Sequence, residues 1–252
     1  MKGEGGRGKG KNRPHDIRHR EVRIQPLAAS AAWRAVAIQF FKTGLLRFVR
    51  NELFFLLALT CLVLLAACGR DPQLPRLYDG DVILAFGDSL THGTGASRDS
   101  AYPAVLSKLT GHTVVNAGVP GETTAEGLVR LPEVLEEVRP RIVLLCLGGN
   151  DMLRRHDGNA TESNLRRMIE TIRASGAGVV LIGVPQPALF SGPPDFYEKL
   201  ADEFDLPYEG EIFDEVLKTP RLKADPIHAN AEGYKVVAER LAELLEDAGA
   251  IK

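Results

Sequence analysis

From residue 81 onward the chain alternates between short unbroken apolar runs and longer stretches in which apolar positions recur every three or four residues. The runs DVILAF (81–86), HTVVNA (112–117), RIVLLCL (141–147) and GVVLIGV (178–184) are rich in β-branched residues and bounded by Gly, Asn or Asp, which predicts strands. A weaker fifth strand is expected around 206–208. Helical spacing marks 101–111, 123–139 and 161–175, and a last helix begins after Asn230, a residue type that caps helix N-termini well. Leu128, Leu131, Leu135 and Val138 form one apolar stripe; Leu165, Met168, Ile169 and Ile172 a second; Tyr234, Val237, Leu241, Leu244 and Leu245 a third. Such stripes are core faces rather than functional ones. Strand and helix in alternation predict an α/β fold in which helices cover a parallel sheet. The first three strands begin about 30 residues apart, as βαβ units do, so right-handed crossovers should gather the loops that follow them along the carboxyl edge of the sheet.

The part of the chain before residue 81 has a different character. Residues 53–67, LFFLLALTCLVLLAA, form an uncharged apolar run, shorter than the roughly 20 residues of a spanning helix and suited to the hydrophobic region of a signal peptide. Arg47 and Arg50 precede it, and Ala66, Ala67 and Cys68 close it. LAAC resembles the lipobox of bacterial lipoproteins; the resemblance implies cleavage before Cys68 and acylation of its thiol and new amino group, with an uncleaved membrane anchor as the rival reading. Either places the protein in a bacterial cell envelope, facing the periplasm or the exterior. Residues 33–49 have the pattern of a basic amphipathic helix for a membrane surface, and the Gly-rich basic stretch before them reads as disordered. Alternatively, translation begins at an internal codon other than that for Met. The expected organisation is a basic extension with a lipoprotein-type signal (1–67), a linker (68–80) and one catalytic-sized domain (81–252).

Composition narrows the partners. Of 252 residues 44% are hydrophobic and 25% charged, with a formal net charge of -2, so nothing favours nucleic acid. About a dozen Lys and Arg fall in the first fifty residues, which leaves the remainder clearly acidic. Cys61 would leave with the signal and Cys68 would become a thioether, so Cys146, inside a strand, has no disulfide partner and reads as a core residue.

Polar residues of particular types follow the strands. Gly87-Asp88-Ser89-Leu90 lies just past the first, Gly121 within NAGVPGETT past the second, and Asn150 within LGGND past the third, while Asp225 and His228 stand together in DPIH before the last helix. Ester hydrolysis needs these types. A serine hydroxyl becomes nucleophilic when a neighbouring imidazole takes its proton, and the imidazole needs a carboxylate to hold its tautomer and stabilise its cation. The tetrahedral oxyanion needs donors already aimed at it, which the N–H groups of Ser89 and Gly121 and the amide of Asn150 can provide. Taken singly these segments read as a turn at Ser89 and a helix-capping loop at DPIH; their joint presence favours catalysis.

The four segments, in this order, resemble the sequence blocks of the SGNH hydrolases, also called the GDSL esterase/lipase family, over about residues 81–245. VVNAGVPGETTAEGLVRLPEVL and LGGNDMLRR are similar to the branch that contains bacterial periplasmic thioesterase/lysophospholipase enzymes and arylesterases. The resemblance implies a flavodoxin-like three-layer α/β/α sandwich, the SGNH hydrolase fold. It makes Ser89 the nucleophile, His228 the general base and acid, Asp225 its orienting partner, and Ser89, Gly121 and Asn150 the oxyanion hole.

The remaining polar residues receive plainer readings. Asp88 shapes the turn, His92 lacks a nearby carboxylate of the kind that accompanies His228, and His112 and His156 read as surface or loop histidines. Gly93 and Gly95 are followed by no P-loop Lys, and no His/Cys/Asp cluster has metal-ligand spacing, so neither a cofactor nor a metal is expected. GVPQPALFSGPPDFYEKL, interrupted by Pro185, Pro187, Pro193 and Pro194, is expected to be a stiffened loop at the carboxyl edge. Its Leu189 and Phe190 either offer apolar surface to an acyl chain or cover the sheet edge. The reading is a cofactor-free serine esterase acting through an acyl-enzyme on a small-molecule ester or lipid-like substrate, with a membrane contact through its anchor or signal segment. Deacetylation of a cell-envelope carbohydrate and a catalytically silent acyl-binding lipoprotein are the alternatives.

Overall fold

Five parallel strands, β1 (Val82–Gly87), β2 (Thr113–Gly118), β3 (Ile142–Cys146), β4 (Gly178–Ile182) and β5 (Tyr208–Glu209), pair in the order β2-β1-β3-β4-β5. The computed structural model describes Gln39, residues 72–186 and residues 192–252. Cys68, Leu189 and Phe190 lie outside the described residues, as does the expected signal segment. Strands β1, β3 and β4 are buried along almost their whole length, which is why each reads as an unbroken apolar run rather than an alternating one. β2, at one edge, is only half-buried, and the other edge is blunted by the two-residue β5.

Helices fill both faces. α1 (Ser89–His92) is a single turn directly after β1, α2 (Tyr102–Thr110) returns to β2, α3 (Thr124–Val138) crosses to β3, and α4 (Gly149–Leu153) and α5 (Gly158–Ala174) lead to β4. α6 (Phe196–Phe204), α7 (Ile212–Lys218) and α8 (Ala231–Asp247) follow. α2 packs with α8, and α8 with α7; α3 packs with α5, and α5 with α6. With right-handed crossovers these two groups are the outer layers of the α/β/α sandwich. The apolar stripes face inward as expected: Leu131, Leu135, Leu165, Met168, Ile169, Ile172, Tyr234, Val237, Leu241 and Leu245 are buried, while Leu128, Val138 and Leu244 pack at its margin. Asn230 caps α8 through the Gly233 N–H at 3.0 Å, and Thr123 and Glu126 form a capping box on α3.

Two expectations need correction. The Pro-rich stretch was expected to remain a loop through Leu200, but α6 begins at Phe196 and buries Tyr197, Leu200 and Ala201. Pro193 and Pro194 precede the helix, where a missing N–H costs nothing, and so do not oppose it. The segment read as a linker is, over its second half, part of the domain. The Leu74 and Leu77 N–H groups donate to the carbonyls of Ala248 and Ala250 at 2.9 and 2.8 Å, and both leucines are buried. Pro75 lies so close to Gly178 that a Cβ there would meet the proline ring at 2.6 Å. Burial of two apolar side chains three residues apart, together with these main-chain hydrogen bonds, holds the segment on the core.

Candidate active site

The strand register sets the site. Gly87 of β1 is level with Gly118 of β2 and Cys146 of β3, so the chain leaves all three strands at one height. The chain turns in opposite directions from β1 and β3, which opens the crevice in which parallel α/β sheets hold ligands. Gly87 must lack a side chain, since a Cβ there would come within 2.2 Å of Thr91 Oγ1 and 2.3 Å of the Cys146 carbonyl.

Ser89 is the first residue of α1 rather than part of an open loop. Asp88 caps this turn by accepting the Leu90 N–H at 3.0 Å. His228 reaches Ser89 from the far end of the sequence: its Nε2 is 3.0 Å from Ser89 Oγ, and its Nδ1 is 2.8 Å from Asp225 Oδ2. The other Asp225 oxygen accepts the N–H groups of Ile227 and His228, both at 2.9 Å, so the carboxylate is held by its own turn. The Ala224 N–H donates to the His228 carbonyl at 2.9 Å and closes that turn. Partial desolvation pushes the Asp225 carboxyl up, but the His228 ring, the Ile227 N–H, the nearby imidazole charge and the His228 N–H together hold it below the usual carboxylate range. It therefore stays ionised where an imidazole partner needs it.

The two halves of this relay are tied together. Tyr234, buried on α8, donates to the Thr94 carbonyl at 2.8 Å, and Gly95 sits where a Cβ would clash with the Ala229 carbonyl at 2.5 Å. The loop after Ser89 is thus pressed against the loop that carries His228.

On the other side of Ser89, Gly121 adopts φ +83°, a conformation suited to glycine, and Arg154 donates to its carbonyl at 2.7 Å. Asn150 Nδ2 donates to the Glu122 carbonyl at 3.0 Å and to Asp88 Oδ2 at 3.2 Å. Beneath these residues lies a set of buried polar groups that sequence reasoning missed. Glu122 holds Arg130 through two 2.6 Å contacts, and Arg130 also reaches the Ala117 carbonyl at 3.0 Å. Asp151 accepts the Thr124 N–H and hydroxyl at 2.8 and 2.7 Å, joining the Asn150 turn to the start of α3. The only sequence signal for this network was the run of polar residues beside the glycines, which loops and active sites share.

Asp88, Ser89, Gly121, Asn150 and His228 line one cavity of about 420 Å³. Leu153, Val184, Leu217 and Ile227 give it apolar walls, and Lys218 and Lys223 lie at its border. His92 is exposed on the last turn of α1 and is not among the lining residues. Cys146 is buried in β3, where burial pushes its thiol well above the ordinary value. The geometry permits proton transfer from Ser89 to a carboxylate-backed imidazole, beside main-chain and amide donors that can receive an oxyanion.

Comparison with known proteins follows the same lines. Residues 85–236 match the GDSL-like Lipase/Acylhydrolase family. The Thioesterase 1/protease 1/lysophospholipase L1 of Escherichia coli (strain K12) is 37% identical over 179 residues, covering 68% of this chain and 86% of the relative. The Arylesterase of Vibrio mimicus is 33% identical over 174 residues, covering 65% and 87% respectively. Among solved structures, AlinE4, an SGNH-hydrolase family esterase, superposes with a TM-score of 0.52 at 30% identity, covering 69% of this chain and 96% of that one.

Burial has a consequence for stability. Asp88 is 2% exposed, and desolvation, opposed by the Leu90 N–H and the His228 charge and reinforced by Glu122 and Asp151, pushes its carboxyl up to about 7. A group whose folded pKa is raised stabilises the fold fully below its unfolded pKa, and that contribution is lost as pH rises through the folded value. Between about pH 4 and pH 7 the protein should therefore lose on the order of 3 kcal/mol that Asp88→Asn does not lose. Urea denaturation of both proteins across this range checks it; parallel curves would show that Asp88 ionises as freely in the folded state as in the unfolded one.

Proposed function

The chain belongs to the GDSL-like lipase/acylhydrolase family and is an ester-bond hydrolase; we propose that it cleaves carboxylic esters through an acyl-enzyme on Ser89. The observation that carries the reading is the continuous path from Ser89 Oγ through the His228 ring to Asp225, at 3.0 and 2.8 Å. In the first step His228 Nε2 accepts the Ser89 proton while Oγ attacks the ester carbon. The Ser89 and Gly121 N–H groups and the Asn150 amide stabilise the oxyanion. The protonated imidazole then gives its proton to the departing alkoxide, leaving the acyl group on Ser89. Water then enters and gives a proton to the same nitrogen as its oxygen attacks the acyl carbon; the bond to Ser89 Oγ breaks, Oγ takes the proton back from the imidazolium, and the carboxylic acid leaves. Asp225 keeps Nδ1 protonated throughout, so that Nε2 is the basic nitrogen.

The apolar walls of the cavity support an acyl chain longer than acetyl, and thioesters of such chains follow the same chemistry. The LAAC segment supports a lipid-anchored enzyme of a bacterial cell envelope, with Cys68 as the acylated residue.

Ser89→Ala and His228→Ala should each lower turnover of p-nitrophenyl butyrate by several orders of magnitude, and the double variant should be little worse than either, because the pair acts as a unit. Covalent labelling by a fluorophosphonate should disappear with Ser89. Full turnover by folded Ser89→Ala would overturn the mechanism.

Leu153 is an exposed cavity residue, so its truncation spares the core. Each CH₂ it shields is worth about 0.8 kcal/mol, and Leu153→Ala should lower kcat/KM for the octanoate ester several-fold more than for the acetate. An equal loss for both esters would favour small-acyl deacetylation instead.

Cys68→Ser should abolish acylation, as seen by mass spectrometry of the mature N-terminus. An unmodified Cys68 in the natural host would remove the anchor from the proposal.

A further inference from the structure

Asp88 stands next to the nucleophile yet has no place in the proton relay. We propose that it is a positioning residue for the oxyanion site: its carboxyl group sets which end of the Asn150 amide is turned towards the cleft. The proposal rests on the ester-hydrolase reading of the site and adds a residue to it.

The two ends of a carboxamide have nearly the same shape, so its orientation is decided by its hydrogen-bond partners. At Asn150 both partners of the side-chain nitrogen are acceptors, Asp88 Oδ2 at 3.2 Å and the Glu122 carbonyl at 3.0 Å. If the amide were reversed while Asp88 is ionised, its oxygen would face two other acceptor oxygens in a buried setting, without the compensation that buried polar groups require. The Glu122 carbonyl belongs to the main chain and is fixed by the loop. Asp88 is the side-chain half of the lock.

Asp88 is itself rigid. It is 2% exposed, and its other oxygen is engaged by the Leu90 N–H at 3.0 Å, so one carboxyl group fixes both the turn bearing Ser89 and the amide across the crevice. This places a nucleophile-bearing turn and an oxyanion donor under a common constraint. Both hydrogens of Asn150 Nδ2 are engaged in the resting site. As negative charge develops on the substrate oxygen, the hydrogen of the longer bond, to Asp88, is the one shared with it, and the amide need not turn end for end to supply it. Such preorganisation lowers the barrier without changing ground-state binding.

The test separates capping from positioning. Asp88→Ser keeps an oxygen suited to capping the Leu90 N–H but is too short to reach Asn150. Asp88→Asn keeps the size and sets an NH₂ group against that of Asn150, or caps poorly if it turns over. With p-nitrophenyl butyrate, each variant should lose about tenfold to a hundredfold in kcat with KM within about twofold of the wild type. In the Asn150→Ala background, Asp88→Ser should cost less than about twofold more, since its target is already gone. Wild-type kcat in Asp88→Ser would reduce Asp88 to a helix cap, and a loss that multiplies fully with Asn150→Ala would show that it acts elsewhere; either result overturns the proposal. Should Asp88→Ser fail to fold, Asp88→Asn, alone and combined with Asn150→Ala, carries the same comparison. Full activity in Ser89→Ala would instead remove the ester-hydrolase mechanism on which the proposal rests.

Discussion

The parallel hydrogen-bond ladder that sets Gly87, Gly118 and Cys146 side by side is the constraint on which the rest of the molecule depends. Parallel pairing requires a crossover of a dozen or more residues for each strand, so the chain must pass through a helix before returning. Every return ends at the same edge. Ser89, Gly121 and Asn150 are each only a few residues beyond a strand end, and their closeness follows from the ladder rather than from any contact among themselves. His228 obeys a different constraint. It precedes α8, whose buried face packs against α2, and Tyr234 on that helix bonds to the Thr94 carbonyl in the loop that follows Ser89.

Beneath the cleft the molecule accepts an energetic cost. Asp88, Glu122 and Asp151 are all buried, and carboxyl groups in such settings are stabilised only by the hydrogen bonds and charges aimed at them. Here each is engaged, and among the described residues no buried side-chain oxygen or nitrogen lacks a partner. Well-packed apolar residues would serve stability as well or better. They would not hold a polypeptide turn, an amide and a main-chain carbonyl in fixed relation, as these groups do around Ser89. The site thus sets buried polar groups beside an apolar wall of Leu153, Val184, Leu217 and Ile227.

Much of this was legible in the order of residues. Strand runs, helix stripes and the Asn230 cap are local patterns set by side-chain period and capping chemistry, and they emerged with boundaries displaced by a few residues. Four short segments singled out Ser89, Gly121, Asn150, Asp225 and His228 as candidates, because catalytic chemistry restricts residue type and the βαβ rule says where loops meet, and the fold brings them together. The helix from Phe196 was obscured by the two prolines before it, which signal a loop only if their position relative to a helix start is unknown. The strap at Leu74 and Leu77 was obscured because its partners, Ala248 and Ala250, lie at the opposite end of the chain.

What the sequence by itself determined was therefore the class of fold and the candidates for the site, since both follow from local periodicity and from residue chemistry. The tertiary structure alone decided the second role of Asp88, the pairing of Glu122 with Arg130, and the attachment of Asp151 to Thr124. In a sequence an aspartate beside a serine is a turn former; only burial, which removes the water that would otherwise solvate it, obliges its carboxyl oxygens to find partners across the fold and so gives it a structural task.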